Sequence, residues 1–231
     1  MKTLEDFRAG ELILIDKPFG WTSFQVVNKI RWVICKHFKI KKLKVGHAGT
    51  LDPLATGLLI LCTGKMTKKI ELYQGMPKAY SGSMKLGSTT PSFDLETDID
   101  KTFSTEHINE ELIHQTAEFF KGEIDQIPPI YSAVKQGGKR LYKIAREGKE
   151  IEIKTRRVQI DTFRITKIEA LTLDFDVVCS KGTYIRSLVH DFGKALNSGA
   201  HLTSLRRVAI GNYQVNDAMD IEEFIGQLKE S

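Results

Sequence analysis

The sequence predicts an α+β protein whose central sheet is mixed or antiparallel and is flanked by helices. Strand-like and helix-like segments are interleaved without a regular alternation, which disfavours a βα-repeat architecture. Residues 171–179 alternate apolar and mostly polar side chains, as a half-buried strand does. Residues 185–196 place their apolar side chains on one helical face instead. A chain of 231 residues is long enough to bury a sizeable core.

The first third of the chain contains alternating strand and helix signals. A short apolar strand at 11–15 leads into a turn at 16–20. Thr22 and Gln25 have the spacing of a capping box, which opens a helix with one apolar face. Further elements predicted here are a buried strand at 58–62, a helix at 65–74 that ends at Gly75, and a strand at 78–86.

The remainder of the chain adds strands and helices around one unusual segment. Residues 127–151 contain Pro128-Pro129, then Gly137-Gly138, then a basic helical stretch, which is typical of an excursion from the core. The other predicted elements are a polar loop at 88–100, a helix at 108–120, strands at 155–169 and 171–179, a helix from 185 capped by Gly199, and a helix after Asp220. Since no repeat or clear linker interrupts the pattern, we expect a single domain spanning residues 1–231.

Several classes of protein are disfavoured by composition. No apolar run approaches the ~18 residues needed to cross a membrane, and the N-terminus has no apolar signal region. Cys35, Cys62 and Cys179 lie far apart in apolar patterns, which predicts buried reduced thiols rather than a metal site. The chain contains no P-loop, dinucleotide fingerprint or zinc or calcium spacing. We therefore expect a cytoplasmic protein that needs no cofactor and no metal.

Charge is distributed unevenly along the chain. The net charge is +5, yet residues 29–44 contain seven basic and no acidic side chains. Residues 135–157 contain nine basic side chains and three glutamates, whereas residues 94–125 contain ten acidic side chains and two lysines. This segregation favours a face suited to a polyanion, although solvated charged surfaces would give the same pattern.

The most informative segment is Gly46-His47-Ala48-Gly49-Thr50-Leu51-Asp52-Pro53-Leu54-Ala55-Thr56-Gly57. Its glycines permit backbone angles that other residues avoid, and Pro53 favours an extended Asp52. Because a buried strand follows, we expect a stiff loop that holds the Asp52 carboxylate in a defined direction. Taken alone, Asp52-Pro53 would be read as an ordinary turn.

This segment closely resembles the signature of the TruB-type tRNA pseudouridine synthases. Further matches run from Asp16-Lys17-Pro18 to Leu205-Arg206-Arg207, so the resemblance covers nearly the whole chain. It implies the same α+β architecture, a monomer, and conversion of the T-loop uridine, position 55, in the T-arm stem-loop of tRNA. Many members have Thr at the position of Ala48, and often a C-terminal RNA-binding extension of the PUA type. Only about one helix follows Asp220, so we expect no full extension here.

The resemblance implies three catalytic residues. Asp52 matches the catalytic Asp of the family. Arg186, in Lys181-Gly182-Thr183-Tyr184-Ile185-Arg186, matches the Arg that pairs with this Asp, and a nearby cation favours an ionised carboxylate. Tyr80 matches the active-site Tyr, which can stack on uracil. Without the motifs, Arg186 would be a surface helical side chain and Tyr80 a core aromatic residue.

Other matches imply contacts with the RNA. His47, Tyr184 and Leu205 match positions that contact RNA or the flipped nucleotide, and Asp94 resembles an acidic residue near the pocket. Lys17 and Pro18 match a motif that supports the pocket. Residues 127–151 match a mobile thumb that closes on the RNA loop. Its phosphate-binding candidates are Lys139, Arg140, Lys143 and Arg146; a solvated basic helix is the alternative.

The implied reaction breaks the bond from ribose C1′ to N1 and joins C1′ to C5 of a flipped-out uridine. Asp52 could attack C6 of the base, attack C1′ of the sugar, or remove the C2′ proton, and the sequence leaves all three routes open. Two other functions compete with an isomerase. One is a catalytically silent RNA-binding protein. The other is a glycosidic hydrolase, which usually needs two catalytic carboxylates where this chain offers one convincing candidate.

Overall fold

The computed structural model describes residues 2–131, 135–136, 139–140 and 154–229. The helices are α1 (Leu4–Ala9), α2 (Ser23–His37), α3 (Ile70–Gly75), α4 (Glu110–Phe119), α5 (Ile185–Ala195) and α6 (Ile221–Lys229), with short 3-10 helices at Gly64–Lys69 and Val215–Asp217. The strands are β1 (Leu12–Lys17), β2 (Val45–His47), β3 (Ala55–Thr63), β4 (Lys78–Leu86), β5 (Ser88–Thr89), β6 (Lys101–Thr102), β7 (Gly122–Gln126), β8 (Lys135–Gln136), β9 (Lys139–Arg140), β10 (Arg156–Glu169), β11 (Thr172–Cys179), β12 (Ala200–Ile210) and β13 (Tyr213–Gln214). Within these described ranges, every helix is too short or too polar to cross a membrane.

The chain forms two compact units. Unit 1 contains the chain up to Tyr80 together with the chain from Leu205, and unit 2 contains Ser81–Ser204. Both units combine helices with sheet, and the sheet contains parallel and antiparallel pairs. The predicted α+β class with a mixed sheet is therefore confirmed. The single catalytic domain expected over residues 1–231 stays a prediction.

Strand β3 is the centre of unit 1. It runs antiparallel to β1, from Leu12 opposite Cys62 to Lys17 opposite Gly57, and parallel to the Leu205–Arg207 part of β12. Its side chains alternate between two cores, as the pleat of a strand requires. Leu59 and Leu61 pack in one core with the apolar face of α2, whereas Leu58, Ile60 and Cys62 pack in the other. A strand buried on both faces makes a rigid base for the loop that precedes it.

Unit 2 is built on a sheet in which β4, β11, β10 and β7 are successive neighbours. Strand β10 pairs antiparallel with both β11 and β7. Aromatic rings fill the space between this sheet and α5: the ring centroid of Phe163 lies 5.7 Å from that of Phe175 and 5.6 Å from that of Phe192. These edge-on contacts fix α5, and with it the side chains of its first turn, against the sheet.

Some predicted elements differ from the observed ones. The helix expected at 65–74 is a 3-10 helix followed by α3, and the turn begins at Gly64, whose φ is +48°. A Cβ at Gly64 would lie 2.2 Å from the Arg8 carbonyl oxygen. The cap expected at Gly199 is absent, because α5 ends at Ala195 and Asn197 adopts the left-handed φ of +50°. Gly199 instead leaves room for the Phe103 ring.

Strands β7 and β12 were not predicted from the sequence. Both carry charged side chains that obscure the alternation of period two. The polar loop at 88–100 begins as strand β5, and its Ser88, Thr89 and Ser92 side chains are buried. Cys62 and Cys179 are buried as expected, but Cys35 is partly exposed.

Candidate active site

The loop of residues 46–57, called here the Asp52 loop, is fixed through its backbone. The Ala48 amide donates to the Ile60 carbonyl at 2.9 Å, and the Ala55 amide donates to the Asp52 carbonyl at 3.1 Å. The Gly20 amide donates to the Pro53 carbonyl at 2.9 Å. Asp52 itself is partly exposed. The loop therefore presents one carboxylate at the surface from a backbone with little freedom.

The start of α2 holds the residue before Asp52. Thr22 and Gln25 form the predicted capping box. The next residue, Ser23, is buried, and its hydroxyl both accepts from the Leu51 amide at 2.8 Å and donates to the Leu51 carbonyl at 3.1 Å. Helix α2, which is anchored in the core, thereby fixes both the backbone amide and the backbone carbonyl of Leu51, the residue before Asp52.

Arg207 ties together the two ends of the Asp52 loop. This side chain is 1% exposed, and its guanidinium donates to the Leu58 carbonyl at 2.8 Å and to the Gly49 carbonyl at 3.1 Å. Close packing accompanies these bonds, because Gly57 has a φ of +101° and a Cβ there would lie 2.3 Å from the Arg207 carbonyl oxygen. In the sequence, Arg207 stands only as part of the Leu205-Arg206-Arg207 motif, and no local pattern predicts this role.

Lys17 places a buried positive charge beneath the loop. Its ammonium donates to the carbonyls of Pro18, Trp21 and Pro53 at 2.9, 2.6 and 3.4 Å. Burial lowers its pKa to about 8; the charge of Asp52 opposes this shift and the charge of Arg207 adds to it. Lys17 therefore holds the Pro53 carbonyl of the loop and attracts the Asp52 carboxylate electrostatically, while support of a substrate pocket stays a prediction.

Three further predicted residues belong to unit 1. His47 ends β2, and burial is the largest cause of its lowered pKa. Its Nδ1 atom is buried and makes no hydrogen bond within the described part of the chain. Leu205 pairs with Ala55 in the parallel ladder, three residues after Asp52. Tyr80 is 9% exposed in β4.

Arg186 lies in the first turn of α5 in unit 2 and is 4% exposed. Its guanidinium donates to the Ser92 carbonyl at 3.1 Å and to the Tyr131 carbonyl at 3.0 Å. The Nε atom lies 3.6 Å from Oδ2 of Asp94. The alternative of a surface arginine is therefore wrong, since a buried guanidinium held by three partners has a fixed direction.

Asp94 is buried on the segment that was predicted as a polar loop. Its carbonyl accepts hydrogen bonds from the Thr90 and Ser92 hydroxyls, and its Oδ1 accepts one from the Glu96 amide at 3.0 Å. The preceding residue, Phe93, has a φ of +64° and stacks on His190 of α5, with ring centroids 3.8 Å apart. The stack and the hydroxyls hold Asp94 beside Arg186.

Tyr184 immediately precedes α5 and is held by a buried glutamine. The Tyr184 amide donates to Oε1 of Gln126 at 2.7 Å, and Nε2 of Gln126 donates to the Tyr184 carbonyl at 3.0 Å. One turn later, the Ser187 hydroxyl donates to the Ile127 carbonyl at 2.7 Å. The chain leading into residues 127–151 is thus bonded to the same helical turn that carries Arg186.

The predicted thumb is described only in part. Lys139 and Arg140 form β9, which pairs with β8 through Gln136 and Lys135, while Lys143 lies outside the described residues. Among the residues that the structure does describe, no cluster of three or more His, Cys, Asp or Glu side chains is placed to hold a metal ion.

The predicted site residues therefore fall into two sets. His47, Asp52, Tyr80 and Leu205 belong to unit 1, and Asp94, Tyr184 and Arg186 belong to unit 2. Most of the side chains that hold these site residues in place were not predicted from the sequence. Ser23, Gln126 and Arg207 lie 28, 58 and 158 residues from the backbone groups they bind, so no local pattern marks them.

Comparison with protein families matches almost the entire chain. The model described as "TruB family pseudouridylate synthase (N terminal domain)" matches residues 36–185. The model described as "tRNA pseudouridylate synthase B C-terminal domain" matches residues 186–230.

Curated relatives include proteins named tRNA pseudouridine synthase B. The protein from Flavobacterium johnsoniae is 59% identical over 223 residues, which is 96% of this chain and 97% of that protein. The protein from Phocaeicola vulgatus is 52% identical over 219 residues, which is 95% of this chain and 93% of that protein.

A solved structure of a Cbf5–Nop10–Gar1 complex contains a chain of the same fold, with a TM-score of 0.71 and 30% sequence identity. The match covers 95% of this chain and 54% of that chain, so this chain spans about half of that chain's length.

Proposed function

This chain belongs to the TruB family of pseudouridylate synthases, and we propose that it converts the T-loop uridine of tRNA, position 55, to pseudouridine with Asp52 as the catalytic carboxylate. The enzyme is an isomerase. The C1′–N1 bond of the uridine breaks, C1′ joins C5, the C5 proton leaves to solvent, and N1 takes a proton. Atoms and electrons balance without a redox partner.

The observation that carries this proposal is the construction of the Asp52 loop. Hydrogen bonds fix the backbone on both sides of Asp52, and the buried Lys17 attracts its negative charge. A carboxylate that acts as nucleophile or base must be ionised and positioned in advance of the reaction. The loop supplies the position, and the cation favours the charged form.

We assign two further catalytic roles from the motif matches. Tyr80 is the residue that stacks on the uracil and places a hydroxyl beside it. Arg186 is the cation that the family pairs with its catalytic Asp. The fixed guanidinium direction set by Ser92, Tyr131 and Asp94 supports this role, because an arginine that must meet one carboxylate gains from preorganisation.

Substrate binding requires the uridine to leave its stack, which costs a few kcal/mol. His47, Tyr184 and Leu205 are proposed to contact the displaced nucleotide, and Lys139, Arg140 and Lys143 to contact phosphates of the T arm. Asp94 acts through Arg186 and is proposed as a positioning residue. We propose that the enzyme works as a monomer in the cytoplasm.

Tritium release tests the proposal. A tRNA transcript carrying tritium at C5 of uridine is incubated with the protein, and tritium in water is measured together with the nucleoside product. We expect release and pseudouridine from the wild type. We expect no release from Asp52→Asn, with binding of the transcript retained. Asp98→Asn, which removes an exposed carboxylate, is the matched control and keeps full release.

Three results would contradict the proposal. Equal release by Asp52→Asn and wild type would remove Asp52 from the mechanism. Free uracil as product would indicate a hydrolase instead. Tight binding of the transcript without any product would indicate a silent RNA-binding protein.

A further inference from the structure

Unit 1 contains a basic groove that reaches the first residue of the Asp52 loop, Gly46. It has a volume of about 820 Å³ and lies between the second half of α2, residues 41–44 and the start of β2. Arg31, Lys41, Lys42 and Lys44 line it. None of the roles assigned above involves these side chains.

The shape of the groove is built into the fold. Lys39 adopts a φ of +52° and turns the chain back after α2. Leu43 is 6% exposed and packs in the core, so the exposed side chains of Lys42 and Lys44 on either side of it point away from that core. The Lys44 carbonyl accepts from the Gly64 amide at 2.9 Å. The lysines therefore stand on a backbone that is fixed before any ligand binds.

The cations of the groove have no acidic residue close to them in sequence. Residues 29–44 contain no acidic side chain. In the ranges described, the cations of the groove take no part in the ion pairs. Cations gathered in a concave surface focus a positive potential that attracts anions. A polyanion with closely spaced charges is the chemistry that fits.

One aromatic side chain accompanies these cations. Trp32 lines the groove and is 54% exposed. The ammonium groups of Lys29 and Lys36 lie 5.6 and 4.7 Å from the centroid of its ring. An exposed indole among cations is typical of surfaces that stack nucleic-acid bases and hold the backbone beside them.

The groove is continuous with the Asp52 loop along the chain. Gly46 lines the groove, and the next residue in β2 is His47, a proposed nucleotide contact. A polynucleotide with its target uridine at Asp52 therefore has further phosphates close to this part of unit 1.

We propose that the groove binds the phosphodiester backbone of the tRNA next to the modified uridine, with Trp32 stacking on an unpaired base. This inference rests on the proposed function, because it takes tRNA as the substrate. The phosphates of an RNA backbone carry the regularly spaced negative charges that would pair with the four lining cations. An unpaired base has the flat surface on which the exposed indole can stack.

Charge removal tests the phosphate contacts. The groove variant is Lys41→Gln/Lys42→Gln/Lys44→Gln. The control variant, Lys85→Gln/Lys101→Gln/Lys229→Gln, changes the net charge equally at exposed lysines that do not line the groove. The dissociation constant of unmodified tRNA transcript is measured over a series of salt concentrations, and steady-state kinetics follow the C5 tritium.

We expect the groove variant to bind about 10- to 100-fold more weakly at low salt, and its salt dependence to decrease by roughly 0.7–0.9 for each lost phosphate contact. The loss should appear in KM rather than in kcat, because contacts away from the reacting atoms bind substrate and transition state alike. The control variant should change neither the slope nor KM by a comparable amount.

Substitution of Trp32 tests the stacking contact. Trp32→Ala should weaken binding roughly 5- to 100-fold, while Trp32→Phe should restore most of the affinity, because a phenyl ring also stacks. Circular dichroism of each variant checks that the fold is retained. An equal effect of Ala and Phe would overturn the stacking role.

The remaining outcomes separate this inference from the proposed function. Equal weakening by the groove and control variants would overturn the groove, since general charge would then explain binding. Groove-dependent binding of phosphatidylserine vesicles, with tRNA affinity unchanged in the groove variant, would replace RNA with a lipid surface. Groove-dependent tRNA binding without tritium release from wild type would contradict the proposed function while supporting the groove.

Discussion

Replacing Lys17 by methionine isolates the electrostatic part of the Asp52 loop. The ammonium is fully buried and donates to three carbonyls at 2.6–3.4 Å. Met has a similar length and no donor, so Lys17→Met leaves these carbonyls without their cation. We expect a loss of about 1–3 kcal/mol in the free energy of unfolding at pH 7.

The pH dependence of the free energy of unfolding tests the burial of Lys17 more specifically than the stability at one pH. Burial lowers the pKa of Lys17 from 10.5 to about 8. Below pH 8 the lysine is protonated in both the folded and the unfolded state. Between pH 8 and 10.5 the unfolded state keeps a proton that the folded state has released, so the free energy of unfolding of the wild type rises with pH. The full shift corresponds to about 3 kcal/mol at 1.36 kcal/mol per pKa unit.

Urea unfolding at a series of pH values measures this effect. The difference in unfolding free energy between wild type and Lys17→Met should grow by up to about 3 kcal/mol from pH 7 to 10.5. Lys85→Met controls for the removal of one exposed lysine. A difference that stays constant or shrinks over this range would refute the idea that a buried, desolvated ammonium lies beneath Asp52.

Other substitutions test the contacts that fix the site. In urea titrations, Gly57→Ala should lower the free energy of unfolding by more than about 2 kcal/mol, because the φ of Gly57 is positive and the new Cβ would meet the Arg207 carbonyl. The control is Gly75→Ala, which has open space around it and should change the free energy of unfolding by under about 0.5 kcal/mol. Arg207→Met removes the guanidinium donors from the Leu58 and Gly49 carbonyls, and we expect at least tenfold slower tritium release with tRNA binding retained, whereas an unchanged rate would contradict its role. Gln126→Leu should cost about 1–3 kcal/mol in urea unfolding, since the Tyr184 amide loses its glutamine acceptor and the Tyr184 carbonyl keeps the Leu188 amide but loses the glutamine donor.

Secondary structure was predictable wherever its signal is local. The capping box of Thr22 and Gln25 fixed the start of α2, and the doubly buried run at 58–62 marked the core of β3. Strand β12 was missed because Arg206 and Arg207 interrupt its apolar pattern. Arg206 pairs with Asp16, 190 residues away, and the buried Arg207 binds the Gly49 carbonyl, so the positions of both arginines have their cause in tertiary contacts.

The choice of Asp52 as the candidate catalytic carboxylate rests on the sequence alone. Glycines, Pro53 and the following apolar run confine Asp52 to a stiff loop, and these are short-range constraints that any reader of the chain can recognise. Resemblance to one family then implied a catalytic role for it, which stays a prediction; two models of that family match residues 36–185 and 186–230.

Tertiary structure decided how each reactive group is held. It buried Lys17 under the Asp52 loop, directed Arg186 with two carbonyls and Asp94, and tied Tyr184 to Gln126. These contacts join side chains to backbone groups that are distant in sequence, so they exist only once the chain is folded. A short segment determines which residue types are available, whereas the direction and the pKa of a side chain depend on neighbours that folding brings to it.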